Sequence, residues 1–397
     1  MRRHASGRVL RAVGRPLYVW IHRYVGLATA LFLTIAALTG SALVFMPEID
    51  AWLNPGLFRA KPTGSALPAS EIVSHFEKSY PNLKVSVLSV PLGQEDSVFV
   101  FVQSRSPGSE LENNQFFIDP YSGTVLGQRF YGAARIDAAH VMPFLRRVHY
   151  SLHIPGAWGI WFMGVVALAW TIDCFIGLYL TFPRIQPFWK NWRPMWRVKR
   201  KARRYRLNLD LHRVAGLWLW LVLLLLAATS VALNLPSEVY RPVLSALLPT
   251  TPTIWEQPGP TSERTMIVGF EAALSQARLE GSLRGWHQTP ARIFSISTRG
   301  LYLVQFSGEH EPGFGRSQMW VDGHSGAVVR ADRAGAGRAG DLVDNLVLPI
   351  HTGQVAGLVG RVLIFVAGLA IALLSVTGTL VWFKKRSARS TRKALGL

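Results

Sequence analysis

The stretch His22-Arg23-Tyr24-Val25-Gly26-Leu27 opens an apolar run that continues to Phe45, and it returns as His212-Arg213-Val214-Ala215-Gly216-Leu217 at the head of a run ending at Leu235. A charged hexamer used twice, each time before about 20 apolar residues, reads as two membrane helices of like orientation. Two further runs, Ala157 to Phe182 and Val355 to Phe383, have similar length. Buried helices of a soluble fold would be shorter and striped with polar residues, so all four runs are expected to cross a hydrocarbon core of about 30 Å.

Charge placement orients them. The 397 residues include 43 Lys and Arg against 23 Asp and Glu, a net charge of +20. About 23 of the basic residues fall before Tyr24, between Pro183 and Arg213, or after Phe383, with almost no acid there beyond Asp210. By the positive-inside rule both termini and the central link are cytoplasmic, and the segments Pro47 to Arg147 and Pro236 to Pro349 lie outside. This pattern suits an anionic membrane surface and not nucleic acid. The first run is too long for a signal-peptide core, and no small-x-small cleavage site follows Phe45. The single cysteine, Cys174, lies inside the second run, which excludes disulfides in the outer segments and covalent c-type haem or iron–sulfur clusters within this chain.

Each outer segment opens with a helical pattern, Ala69 to Tyr80 and Arg264 to Leu279. Alternating runs follow that read as strands: Val85 to Val90, Val98 to Val102, Ile293 to Ile296 and Leu301 to Phe306. Both close on a D-x-x-S-G-x-V turn, Asp119 to Val125 and Asp322 to Val328. His153 and His351 head the second and fourth runs, each with a glycine six residues later, Gly159 and Gly357. The expected fold class is therefore integral membrane α-helical, with four transmembrane helices in two parallel helix-module-helix repeats and two α+β modules outside, related by a pseudo-twofold axis along the membrane normal. The expected boundaries are 1–46 for the N-terminus and first helix, 47–148 for the first module, 149–182 for the second helix and 183–211 for a basic loop. The third helix takes 212–235, the second module 236–350, the fourth helix 351–383 and a basic tail 384–397.

Five histidines sit at the ends of these helices: His22 and His212 on the cytoplasmic side, His149, His153 and His351 on the outer side. Ionisable residues at membrane depth are costly and tend to be functional, and neutral imidazole is a good iron ligand. An interfacial histidine can also simply bond headgroups or backbone. The repeat pairs His22 with His212 and His153 with His351, and a bis-His b-type haem would fill each gap, giving two haems in one bilayer. Arg23 and Arg213 adjoin the inner pair, where they could neutralise haem propionates or serve only as cytoplasmic anchors. His149 lies four residues before His153, on the same face of a continuing helix, and could replace it, bond a propionate or approach a substrate. Asp173, within the second helix, could relay protons or hydrogen-bond a neighbouring helix. No dinucleotide-binding signature is present, so electrons are expected from a separate donor, a quinol or a cytoplasmic reductase.

These motifs, together with Val148-His149-Tyr150-Ser151-Leu152-His153, Trp170 to Gly177, Asn208 to Trp220 and the paired D-x-x-S-G turns, resemble the PepSY-associated transmembrane helix family, and within it the haem-containing siderophore reductases of the bacterial inner membrane. The resemblance implies PepSY-like periplasmic modules. It also implies an enzyme that passes electrons through two haems to a ferric siderophore, releasing the metal because hard oxygen ligands hold Fe(III) better than Fe(II). A substrate site between the modules and the outer haem would draw on Trp286, His287, Arg316, Trp320 and His324. The stretch Phe188 to Arg206, with Trp189, Trp192 and Trp196 among basic residues, reads as lying on anionic membrane lipids. Alternative readings are a haem-free PepSY-type regulatory or binding protein and, more weakly, a siderophore permease.

Overall fold

The computed structural model describes residues 3–394 except 107, 200, 202, 258–265, 307–312 and 314, with side chains from Gly14 to Ser387. The helices are α1 (Arg3–Leu43), α2 (Met46–Leu53), α3 (Pro55–Phe58), α4 (Ala69–Ser79), α5 (Val141–Ser151), α6 (Trp158–Thr181) and α7 (Phe188–Trp192). They continue as α8 (Arg204–Trp218), α9 (Trp220–Asn234), α10 (Arg241–Leu247), α11 (Phe270–Leu283), α12 (Ala339–Thr352) and α13 (Gly357–Ala394).

Among the described residues three helical stretches are long and apolar enough to cross a membrane: Gly14–Leu43, Trp158–Thr181 and Gln354–Ser387. The run expected to form a straight third helix is instead α8 and α9, bent by 70° at Leu219, and it makes a fourth crossing only if the pair counts as one span. The break has a physical cause in its flanking tryptophans. Trp218 donates its indole N–H to the Trp196 carbonyl at 3.2 Å and Trp220 donates to the Cys174 carbonyl at 3.0 Å, so the two rings are drawn to different elements on either side of Leu219. α1 packs on α13 and α6, α8 on α13, and α9 on α6 and α12. Ala37, Leu223, Leu226, Ala367 and Ile371 form the buried centre of this bundle.

The strands are β1 (Leu83–Ser89), β2 (Val98–Ser104), β3 (Gln115–Ile118), β4 (Val125–Arg129), β5 (Pro290–Ile296), β6 (Leu301–Phe306), β7 (Gln318–Asp322) and β8 (Val328–Asp332). The two expected α+β modules share one antiparallel sheet of eight strands, ordered β4-β3-β2-β1-β5-β6-β7-β8. The joint is the pairing of β1 with β5, at Val87 with Phe294, Leu88 with Ile293 and Ser89 with Arg292. It removes what would otherwise be an open edge on each half, a hazard for a lone small sheet. β2 and β6 alternate buried and half-buried residues, which turns one face toward α4 and α11. A single core therefore joins Ile72 and Phe76 of α4, Leu274 and Ala277 of α11, and Val98, Ile293, Val304 and Met319 of the sheet. Arg264, where the second module's helix was expected to start, lies outside the described residues, and α11 begins at Phe270.

The sheet is mounted on the helices through a buried charge pair. Arg129 at the end of β4, 2% exposed, pairs with Asp50 of α2 through both carboxylate oxygens at 2.9 and 2.8 Å, and also bonds Gln115 and the Ala139 carbonyl. The rings of Phe58, Phe117 and Tyr131 surround the guanidinium. Four of the five guanidinium N–H donors are engaged, and both carboxylate oxygens accept, which is the kind of pairing under which a buried ion pair is tolerated.

Candidate functional site

α5 does not continue into α6. It ends at Leu152, where Leu152 and His153 both adopt left-handed backbone, with φ of 53° and 60°, and α6 starts only at Trp158. α12 ends in the same way at Gly353, φ 79°, and α13 follows from Gly357. Of the residues expected to open the second and fourth spans, His351 lies in the short helix α12, which packs on α9, while His153 falls in the break after α5, which packs on α1.

This break separates the two outer histidine candidates. His149, in the last turn of α5, points into the bundle and its ring centre stands 6.1 Å from that of His351. His153, past the break, turns back toward the first module, where its Nε2 bonds the Gly132 carbonyl at 3.0 Å and its ring lies against Phe144. His153 and His149 do not share a face, because no continuous helix connects them. At the other end of the bundle His22 of α1 and His212 of α8 stand 6.2 Å apart, as the repeat implied.

All four imidazoles are held through Nδ1. His22 Nδ1 meets the Asp173 carboxylate at 2.9 Å, and His212 Nδ1 meets the Leu374 carbonyl at 3.0 Å and the Thr377 hydroxyl at 3.1 Å. His149 Nδ1 meets the Ala36 carbonyl at 2.8 Å and the Thr39 hydroxyl at 3.3 Å, while His351 Nδ1 meets the Thr229 hydroxyl at 3.0 Å. Each of these threonines directs its own hydroxyl proton to the carbonyl four residues back, at 2.7 Å for Thr39 and Thr229 and 2.6 Å for Thr377. Their oxygens are therefore acceptors toward histidine, and the ring proton sits on Nδ1. Nε2 is left with its lone pair, and none of the four Nε2 atoms makes a hydrogen bond within the described residues.

The separation carries chemical information. Two imidazoles on opposite sides of one metal, with bonds of about 2.0 Å and about 1.1 Å from nitrogen to ring centre, have centres about 6.2 Å apart. Both pairs match it. No group of three or more His, Cys, Asp or Glu side chains that could hold a metal ion occurs among the described residues, so each candidate site offers two imidazole nitrogens. Small residues make room for the rings. A Cβ at Gly40 would stand 2.8 Å from His149 Cε1, one at Gly378 3.1 Å from His212 Cε1 and one at Gly177 3.5 Å from His22 Cε1. One turn beyond His22, a Cβ at Gly26 would meet nothing within 4 Å, which leaves space for a flat group beside the ring.

One comparison covers almost the whole chain, both the membrane helices and the sheet. The family model described as PepSY-associated TM region matches residues 19–385. The chain belongs to that family. No curated protein matches it. Within this PepSY-associated protein, the match runs from the start of the first span, through both halves of the sheet, to the last span.

Other predicted site residues of the PepSY-associated chain are dispersed. Arg213 bonds Asp210 at 2.8 Å and the Met195 carbonyl at 3.0 Å, which engages its guanidinium with the link that precedes α8. Arg23 is half-buried beside His22. Trp286 packs on Phe306 and the 5% exposed Trp320 on Trp255, so both complete the module's interior, while His287 and His324 are exposed. Arg316 bonds Gln305 at 3.3 Å. Residues that the sequence reading missed are Thr39, Thr229 and Thr377, which fix the imidazole protons. A small polar residue one helical ridge from an apolar stripe was the only signal for them. α12 is fixed at its other end by Asp341. Burial opposes ionisation of this carboxyl, but the hydrogen bonds from Thr251 at 2.6 and 2.8 Å and from the Arg338 backbone N–H at 2.9 Å outweigh it and hold its pKa below the ordinary aspartate value.

Proposed function

We propose that the chain is a transmembrane bis-haem oxidoreductase of the bacterial inner membrane that reduces Fe(III) in a siderophore chelate to Fe(II) on the sheet side. The observation that carries this reading is the pair of imidazole clamps, 6.2 and 6.1 Å between ring centres, with every Nδ1 anchored and every Nε2 unbonded. His22 with His212, and His149 with His351, would hold two b-type haems. Bound there, the haems supply one-electron transfer.

The protein's own residues hold the geometry. Asp173, Leu374, Ala36 and Thr229 keep the Nδ1 protons in place, which leaves the Nε2 lone pairs free for a ligand. The two sites are reached from α1 at His22 and at Ala36, fourteen residues apart, or about 21 Å along the axis at 1.5 Å per residue. The apolar bundle between them excludes water. With α8 and α9 taken as one bent crossing, the positive-inside rule favours a cytoplasmic side for both termini and the basic link and a periplasmic side for the sheet. The sheet-distal pair then faces a separate donor, a quinol or a cytoplasmic reductase, and the link with Trp189, Trp192 and Trp196 rests on anionic lipid headgroups. Addition of one electron to the chelated iron converts Fe(III) to Fe(II), which hard oxygen ligands hold less well, and the metal is released for uptake. A haem-free regulatory protein would have no need of four imidazoles with aligned Nδ1 partners.

The optical spectrum of the purified full-length protein tests the reading. A reducible b-type haem spectrum at two haems per chain is expected. A colourless protein that retains its helices would overturn it.

A further inference from the structure

One of the four imidazoles differs from the rest. His212, His149 and His351 direct Nδ1 to neutral acceptors, a backbone carbonyl or a threonine hydroxyl. His22 directs Nδ1 to a carboxylate, Asp173, with both oxygens at 2.9 Å and the side chain only 11% exposed. The two halves of the chain make the difference visible. Asp173 lies four residues before Gly177, the glycine against His22, and Leu374 lies four residues before Gly378, the glycine against His212. At one position of the repeat the acceptor is thus a backbone carbonyl in one half and a full negative charge in the other.

A carboxylate on Nδ1 pulls the ring proton toward itself and makes Nε2 a stronger donor, which favours the higher charge on a bound metal. The negative charge acts in the same direction through space, and in a low-dielectric bundle it is poorly screened. The basic residues adjoining the pair in the chain are Arg23, next to His22, and Arg213, next to His212. The latter is already paired with Asp210 at 2.8 Å and further bonded to the link carbonyls, so its field at the site is largely cancelled. At the sheet-side pair no carboxylate reaches either Nδ1.

We propose that Asp173 is a positioning residue that sets direction: through His22 it holds the sheet-distal haem at a lower reduction potential than the sheet-side haem, so that electrons run toward the sheet. The inference rests on the haem reading above. In the step concerned one electron leaves ferrous iron at the His22 and His212 pair, which becomes ferric, and reduces ferric iron at the His149 and His351 pair. No proton need cross with it, because all four Nδ1 protons stay on their rings.

The test is a redox titration of the full-length haem-loaded protein followed by its optical spectrum, with H212A and H351A used to assign each midpoint to its site. Two separated midpoints are expected, the lower belonging to the haem lost in H212A. In D173N, which keeps an acceptor oxygen without the charge, that midpoint should rise by at least a tenfold change in its equilibrium, about 59 mV for one electron, while the other stays in place. Equal wild-type midpoints, a lower midpoint at the sheet side, or a D173N titration that moves neither or both alike would overturn the inference and leave the bis-haem reading intact. A protein without haem would instead overturn that reading. Should D173N lose the distal haem, D173E, which restores the charge, must recover a low-potential haem, and the wild-type order of midpoints stands as the second readout.

Discussion

At the residue scale the arrangement depends on close contacts more than on the histidines alone. Gly40 leaves 2.8 Å between a notional Cβ and His149 Cε1, so Gly40→Val should displace the ring and remove the sheet-side haem while the distal haem remains. Pyridine haemochrome quantification would read one haem per chain, and two would show that the ring has room to move. Thr229→Val should loosen the same haem less severely, since it keeps the shape but removes the hydroxyl that holds His351 Nδ1, and losing such a partner of a metal-binding histidine costs roughly 10- to 100-fold in affinity. The sequence made His22 and His212 legible as a pair because the hexamer repeats without a gap. It misled on the outer pair because the glycine spacing of His153 matches that of His351, while the left-handed turn at Leu152 and His153, which rotates His153 away, has no glycine to announce it.

At the element scale the short helices α5 and α12 act as pegs that insert one imidazole each into the bundle. The peg α12 is tied at its start by Asp341, whose depressed pKa gives a pH signature with a definite sign. A carboxyl held below its unfolded value contributes stability above about pH 3.9 and loses it as pH falls through the lower folded value. Thermal unfolding of the wild type should therefore weaken in that acid range. D341N should lack this part of the decline and be less stable at neutral pH; identical profiles for the two proteins would contradict the assignment. The peg α5 follows a sheet clamped by Arg129 and Asp50. Asp50→Ala strands a buried guanidinium and should destabilise the protein by about 3–5 kcal/mol, measured by detergent-phase chemical unfolding. Spans of apolar residues were legible from length alone. The bend at Leu219 was not, because its cause is two indole hydrogen bonds to distant elements.

At the scale of the whole molecule, a repeat that the sequence presents as two separate modules becomes one sheet joined at β1 and β5. Local alternation specified each strand, but the seam depends on partners some 200 residues apart and on two edges that both need covering. Hydrogen exchange should find the amides of Leu88 and Ile293 protected as well as those inside each half, and fast exchange at the seam would indicate two independent modules. The same twofold logic runs down into the helices, where it yields two imidazole clamps at opposite ends of the bundle with one carboxylate breaking the symmetry.

The central claim, that the outer clamp is made by His149 and His351, is tested most directly by counting haem per chain in H149A and H153A side by side. One haem in H149A and two in H153A are predicted. Two in H149A and one in H153A would contradict the account.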